Sequence, residues 1–154
     1  MKHPDDMPVF PLIMLVSSFF LPDNRPVNDA QYLSGTWKGV LTQDQGGFTP
    51  EYDFQMTLHL EDGQIQGTSH VSVRSIYANW RLKGSLEDGV FHFEEQSIGR
   101  HTELDDLYWC LKQGNLHLKL IDYQWVLYGR WWGQSELGDC VPGKIRLVKQ
   151  VPQV

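Results

Sequence analysis

The stretches HLEDGQIQG and SLEDGVFHF, residues 59–67 and 85–93, constrain this chain most. Each sets Asp-Gly between runs that alternate apolar and polar residues. A two-residue type I′ turn needs positive φ at both central positions, which Asp-Gly tolerates, and its twist matches that of paired strands. With one turn at Asp62-Gly63, Leu60 faces Ile65, Leu58 faces Gly67 and Met56 faces Ser69. With the other at Asp88-Gly89, Leu86 faces Phe91 and Gly84 faces Phe93. The apolar partners fall on one side, as register demands. CLKQGNLHLKL, residues 110–120, reads as a third hairpin around Gly114, with Trp109 and Leu111 beside Leu116, Leu118 and Leu120.

No stretch from Ser34 onward shows the 3.6-residue apolar period of a helix. Strands are predicted at 36–43, 52–61, 64–73, 79–87, 90–97, 105–113, 115–121, 124–132 and 143–150. Short turns are expected at 62–63, 88–89 and 113–114, and longer connections at 44–51, 74–78 and 98–104. Strands running up and down in order place the short turns at one end and the long loops at the other. Closing such a meander removes exposed edges. The expected fold is therefore all-β, an antiparallel up-and-down barrel of about 8–10 strands. The alternative is a two-sheet β-sandwich.

Residues 1–33 read as a leader or linker and residues 34–154 as the barrel domain. The run VFPLIMLVSSFFL at 9–21 carries no charge but falls short of the roughly 20 residues of a spanning helix, so no membrane span is expected. Its length suits a signal-peptide core, although Asp5 and Asp6 offset Lys2 and no small-x-small cleavage site follows. The competing reading is a buried segment packed on the domain. Export, periplasmic or secreted, is favoured slightly over the cytoplasm. Cys110 and Cys140 would form one disulfide in an oxidising compartment and remain two thiols in the cytosol.

The net charge of −6 and the absence of a basic run argue against a nucleic-acid partner, whose phosphates are bound by Lys and Arg. No G-x-S-x-G, H-E-x-x-H or glycine-rich phosphate loop occurs, and both EDG triplets are turns. No enzyme, cofactor or metal site is expected. His59, His70, His92 and His117 fall on the outward face, and the carboxylates of FEEQ and ELDD give only a weak glycosidase reading.

The inward face has few polar interruptions: Ser69, Glu95, Ser97 and Asp105, the last three near the long-loop end. A barrel mouth with a few polar groups above an apolar interior is a common small-molecule site. Ser69, Trp80, Glu95, Asp105, Trp109 and Trp125 are the candidate ligand-binding residues. The bland alternative is that these strands simply emerge into water. Mid-strand Gly39, Gly67, Gly84 and Gly129 mark either wall curvature or room for a ligand, the latter implying a cavity bounded by Gly67, Gly84 and Trp109.

YQWVLYGRWWG, residues 123–133, alternates inward Trp125, Leu127, Gly129 and Trp131 with outward Val126, Tyr128, Arg130 and Trp132. Tyr, Arg and Trp are enriched at binding hot spots. Tyr128, Arg130 and Trp132 are the candidate interface, for a second subunit, for residues 9–21 as a cover, or for a stacked planar ligand such as a sugar.

LSGTWKG, residues 33–39, resembles the G-x-W motif that opens the barrel in lipocalins and avidins, the calycin group. IDYQW, residues 121–125, resembles the lipocalin T-D-Y motif with Ile121 in place of Thr. The resemblance covers residues 34–150. It implies that Trp37 closes one barrel end against an Arg or Lys of a late strand, for which Arg146 is the candidate. It places the D-Y turn before the seventh strand, at the G-x-W end; the strand count above puts Asp122-Tyr123 after the seventh. The implied function is a lipocalin-like binding protein for a small, mostly apolar ligand. The alternative is an interaction or inhibitor module, or an oligomeric wall protein, using the outer aromatic strand and loops.

Overall fold

The computed structural model describes residues 26–45, 47 and 49–152. The run at 9–21, with both of its readings, lies outside the described residues. A 3-10 turn at Ala30–Leu33 precedes nine strands: β1 Gly35–Gln43, β2 Tyr52–Glu61, β3 Gln64–Val73, β4 Ile76–Glu87, β5 Val90–His101, β6 Leu111–Ile121, β7 Gln124–Ser135, β8 Gly138–Asp139 and β9 Gly143–Lys149. All pairings are antiparallel. β1 to β7 follow one another around the wall, and β9 pairs with both β7 and β1 to close it; the two-residue β8 only extends β7. The fold is a closed up-and-down barrel of eight strands with one short extra strand. Closure excludes the sandwich.

Both Asp-Gly hairpins pair in the expected register. Asp62 and Gly63 have φ of 51° and 77°, Asp88 and Gly89 of 49° and 74°, as a type I′ turn requires. The third tight turn at that end is not at Gly114. It is Asp122-Tyr123, with φ of 49° and 62°. β6 runs unbroken through Gly114, because bulk there is excluded: a Cβ would lie 2.5 Å from the Arg130 carbonyl oxygen and 2.8 Å from the Phe93 ring. The predicted strands 105–113 and 115–121 are therefore one strand plus part of a loop. Removing the extra strand puts Asp122-Tyr123 in the turn before the seventh strand, at the same end as Gly35–Trp37. The β3–β4 connection is also tighter than expected, a two-residue turn at Arg74-Ser75 with Val73 facing Ile76.

Inward positions carry the core, built around Trp37, Phe54, Met56, Trp80, Phe91 and Trp131. Outward positions are mostly charged or amide side chains, for example Lys38, Gln66, Arg81, Lys83 and Lys144. Apolar inside and polar outside is the inverse of an outer-membrane barrel. No helix among the described residues is long and apolar enough to cross a membrane. At Gly39, Gly67 and Gly129 a Cβ would collide with a carbonyl oxygen of the adjoining strand. These glycines serve close strand approach in a curved wall, and they do not make room for a ligand.

The end with the three I′ turns is plugged. Trp37 is fully buried and its indole N–H donates to the Leu33 carbonyl at 2.8 Å. Lys149 Nζ sits 5.7 Å from the Trp37 ring centroid and donates to the Tyr32 carbonyl at 2.8 Å. The cation over Trp37 is thus Lys149. Arg146 is exposed and lies opposite Tyr128 on the outer wall, because Ile145 and Leu147 take the inward positions beside it. Tyr32 covers Trp125, with ring centroids 4.9 Å apart, and Asn28 accepts a hydrogen bond from the Gly89 N–H at 3.0 Å.

Candidate functional site

At the opposite end the wall does not close completely. β5 pairs with β6 only from Val90 to Glu94. Beyond that point the β4–β5 register slips between Arg81 and Leu82 and again between Ala78 and Trp80. Extra residues in one strand bend it and raise its twist. β5 thereby leaves β6, and residues 102–110 form a loop across the gap. The slip also turns Ser97 to the outside opposite Arg81, against its expected inward position, and sets Ile98 opposite Trp80.

Where the β5–β6 ladder stops, a side chain replaces it. Glu95 Oε2 accepts the backbone N–H of Lys112 at 2.8 Å and lies 3.0 Å from Lys112 Nζ. Glu95 Oε1 accepts the Ser69 hydroxyl at 2.5 Å. Lys112 Nζ also donates to the Cys110 carbonyl at 3.3 Å and stands 3.4 Å above the Trp80 ring centroid. Ser69 is fully buried, and Glu95 and Lys112 are only 1% and 4% exposed. Burial pulls the Lys112 pKa below 10.5, and the Glu95 charge opposes that shift. Such an ion pair persists away from water because each oxygen and N–H finds a partner.

Trp80 and Trp109 meet nearly edge to face, 76° apart with centroids separated by 5.9 Å. The Trp109 indole N–H donates to the Thr102 carbonyl at 2.9 Å, which fixes the 102–110 loop against the barrel. A disulfide joins Cys110 to Cys140 and ties this loop to the segment before β9. On the far side of the mouth the Trp131 indole N–H donates to the Thr42 carbonyl at 2.9 Å. Between these elements lies a cavity of about 450 Å³, lined among others by Trp80, Trp109, Lys112, Trp131, Leu41 and Tyr108. A second cavity of about 570 Å³ lies across the 102–110 loop and shares Trp80, Trp109 and Tyr108 with the first. The first is within the size range of small-molecule sites and has the usual mixture of aromatic walls and a few convergent polar groups.

Of the sequence candidates, Ser69, Trp80, Glu95 and Trp109 converge at this mouth. Asp105 belongs to the loop and lines only the second cavity, exposed, because 105–110 is not strand. Trp125 faces inward but at the plugged end, beneath Tyr32. Gly67 lines neither mouth cavity and Gly84 lines an outer groove, so the cavity bounded by Gly67, Gly84 and Trp109 does not form. Lys112 is the residue that sequence reasoning missed, and its signal was present: stepping back by twos from Leu120 through Leu118, Leu116 and Gly114 reaches Lys112 and leaves Leu111 outside.

The outer face of β7 is partly accounted for. Arg130 forms a two-pronged ion pair with Asp44, which lowers the Asp44 pKa below 3.8 mainly through that hydrogen bond. Tyr128 packs over His117 with ring centroids 5.5 Å apart. Val126 is buried, although it points outward and stands apart from the core, while Tyr128 and Trp132 are 37% and 40% exposed. No group of three metal-ligating side chains gathers among the described residues.

No protein-family model matches the chain, and no curated protein matches it. The antiparallel closed barrel of eight strands is consistent with a calycin-like barrel at the level of architecture.

Proposed function

We propose that this chain is a lipocalin-like binding protein that holds a small, mostly apolar molecule at the open end of the barrel. The observation that carries the reading is the mouth cavity, walled by Trp80 and Trp109 and lined by Lys112, which Glu95 and Ser69 hold from behind. A buried ion pair is weak evidence for stability, since packed apolar residues do as well. Its position directly beneath a cavity fits a floor of fixed shape. Three features support the calycin comparison: Trp37 at the start of β1, the cation of the last strand over its ring, and the D-Y turn before the seventh strand. The reading is of a binding protein and not of an enzyme. The Cys110–Cys140 bond fits an oxidising compartment, in keeping with export.

Native mass spectrometry of the protein purified from its own host tests this. The expected result is an added mass that survives gentle ionisation, disappears on unfolding and is absent from Trp109→Ala. A bare chain mass, or a retained molecule indifferent to Trp109→Ala, would sink the proposal. The second reading, an interaction surface on β7, draws on exposed Tyr128 and Trp132 beside buried Val126.

A further inference from the structure

Given the reading of the mouth as a binding site, on which this step rests, we infer that its ligand is neutral and planar and carries a hydrogen-bond acceptor for the Trp80 indole N–H. Three observations lead there. The charged floor is closed on itself. The Lys112 ammonium is occupied by Glu95 Oε2, the Cys110 carbonyl and the face of Trp80, at 3.0, 3.3 and 3.4 Å. Both Glu95 oxygens are taken by Ser69 and by Lys112. An anion entering the cavity therefore meets no free cation on the floor. Around it stand Asp106 and Asp139, with Glu103, Asp105 and Glu136 across the loop. A cation finds no free carboxylate on that floor, since both Glu95 oxygens are already taken. Charge taken from water without a partner is strongly penalised, so a neutral molecule fits best.

The second observation is one donor left over. Among the described residues Trp80 Nε1 is the buried side-chain nitrogen or oxygen without a hydrogen-bond partner. Trp80 is 2% exposed and lines both mouth cavities. A buried N–H that lacks an acceptor destabilises the empty protein, and a ligand carbonyl or ether that reached it through a small turn of the indole would supply that acceptor. The third is shape. Trp80 and Trp109 at 76° make a corner in which a flat ring stacks on one wall and meets the other edge-on, the arrangement aromatic pairs prefer.

Three probes with one ring system and nearly equal size separate these demands: 2-acetylnaphthalene, neutral with an acceptor; 2-ethylnaphthalene, neutral without one; and 2-naphthoate, an anion. Each is titrated into 15N-labelled protein while the indole N–H signals are followed. The expected order is 2-acetylnaphthalene about fivefold tighter than 2-ethylnaphthalene and about tenfold or more tighter than 2-naphthoate. The Trp80 indole proton should move downfield with 2-acetylnaphthalene and not with 2-ethylnaphthalene. Trp80→Phe assigns that signal and should erase the preference for the acetyl over the ethyl probe. If that variant does not fold, the ranking and the indole shift in the unaltered protein still decide. Binding of 2-naphthoate at least as tight as 2-acetylnaphthalene, or no downfield shift when the latter binds, overturns the inference and leaves the cavity as a binding site. No binding by any probe overturns it too, and the mass measurement above then judges the cavity separately.

Discussion

The two ends of the barrel solve the same problem differently. Each must terminate a stack of inward aromatic side chains and the polar groups buried with them. At the plugged end three two-residue turns hold the strands close, and Trp37 fills the space beneath the 3-10 turn. Its buried indole N–H is satisfied by the Leu33 carbonyl, and the overhead Lys149 by the Tyr32 carbonyl. At the mouth β5 swings away from β6, the connections after β1, β5 and β7 are long and only Arg74-Ser75 is a tight turn, and the termination falls to a buried glutamate and lysine with a disulfide across the rim. Apolar bulk fills the barrel interior at the first end, where only an outer groove passes Ala30 and Gly63, whereas aromatic-walled cavities open beside the polar network at the second. This difference locates the proposed site at the mouth.

The largest effects should come from attacking each termination in its own currency. Trp37→Ala leaves a hole that the closed turns cannot collapse, and should cost about 3–5 kcal/mol in denaturant unfolding. Glu95→Leu or Lys112→Met alone strands a buried charge and should cost a similar 3–5 kcal/mol. The double change Glu95→Leu/Lys112→Met should recover most of that loss, because paired apolar groups can replace a buried ion pair. Additive losses in the double variant would show that the two residues do not act as one unit. The pair also has a pH signature. The folded protein holds Lys112 with its pKa below 10.5, so between the folded value and 10.5 the unfolded state binds more protons. Stability therefore gains from this group as pH rises through that window, and the gain should vanish in Lys112→Met.

Next in size is the strap. Cys110 and Cys140 are 30 residues apart, and loop-closure entropy puts their bond at roughly 3–4 kcal/mol. Cys110→Ser/Cys140→Ser should lower the unfolding midpoint accordingly, and hydrogen exchange should quicken at residues 102–111 and 136–143 while residues 30–37 stay protected. Uniform loss of protection at both ends would erase the distinction drawn here.

Much of this was legible in the sequence because Asp-Gly fixes register, and register fixes which residues face inward. From β1 to Glu95 alternation placed the core residues within the predicted strands, but it left buried Ala78 in an expected loop and counted Leu60, 45% exposed, among the inward apolar residues. It failed where a turn signal was counterfeit. Gly114 looked like a hairpin and is a point of close strand contact, while the real turn, Asp122-Tyr123, contains no glycine. That one error flipped the parity of 111–113 and hid Lys112. Ser97 was lost to a slip in β5 that no residue type announces. Trp125 shows a further limit: alternation gives the face of a strand and says little of which end a residue closes.

Smaller effects follow from the same turn. Tyr123 is held at φ 62° and is 101% exposed, so its ring contributes no packing. Tyr123→Gly should relieve the left-handed strain and stabilise the protein by about 0.5–1 kcal/mol. The smallest effect on stability, within about 0.5 kcal/mol, is expected for Tyr128→Ser/Trp132→Ser on the exposed outer strand. If β7 is a docking surface, sedimentation should nevertheless show a changed assembly state. An unchanged state removes the second reading.

The proposed ligand site lies at the mouth and not at the plugged end. Hydrogen exchange read by mass spectrometry, comparing protein as isolated from its host with the same protein stripped on a hydrophobic resin, tests it most directly. Stripping should loosen residues 102–111 and 136–143 and leave residues 30–37 and 122–126 unchanged. Indistinguishable exchange at the mouth, or a change centred on Trp37 and Trp125, would contradict it.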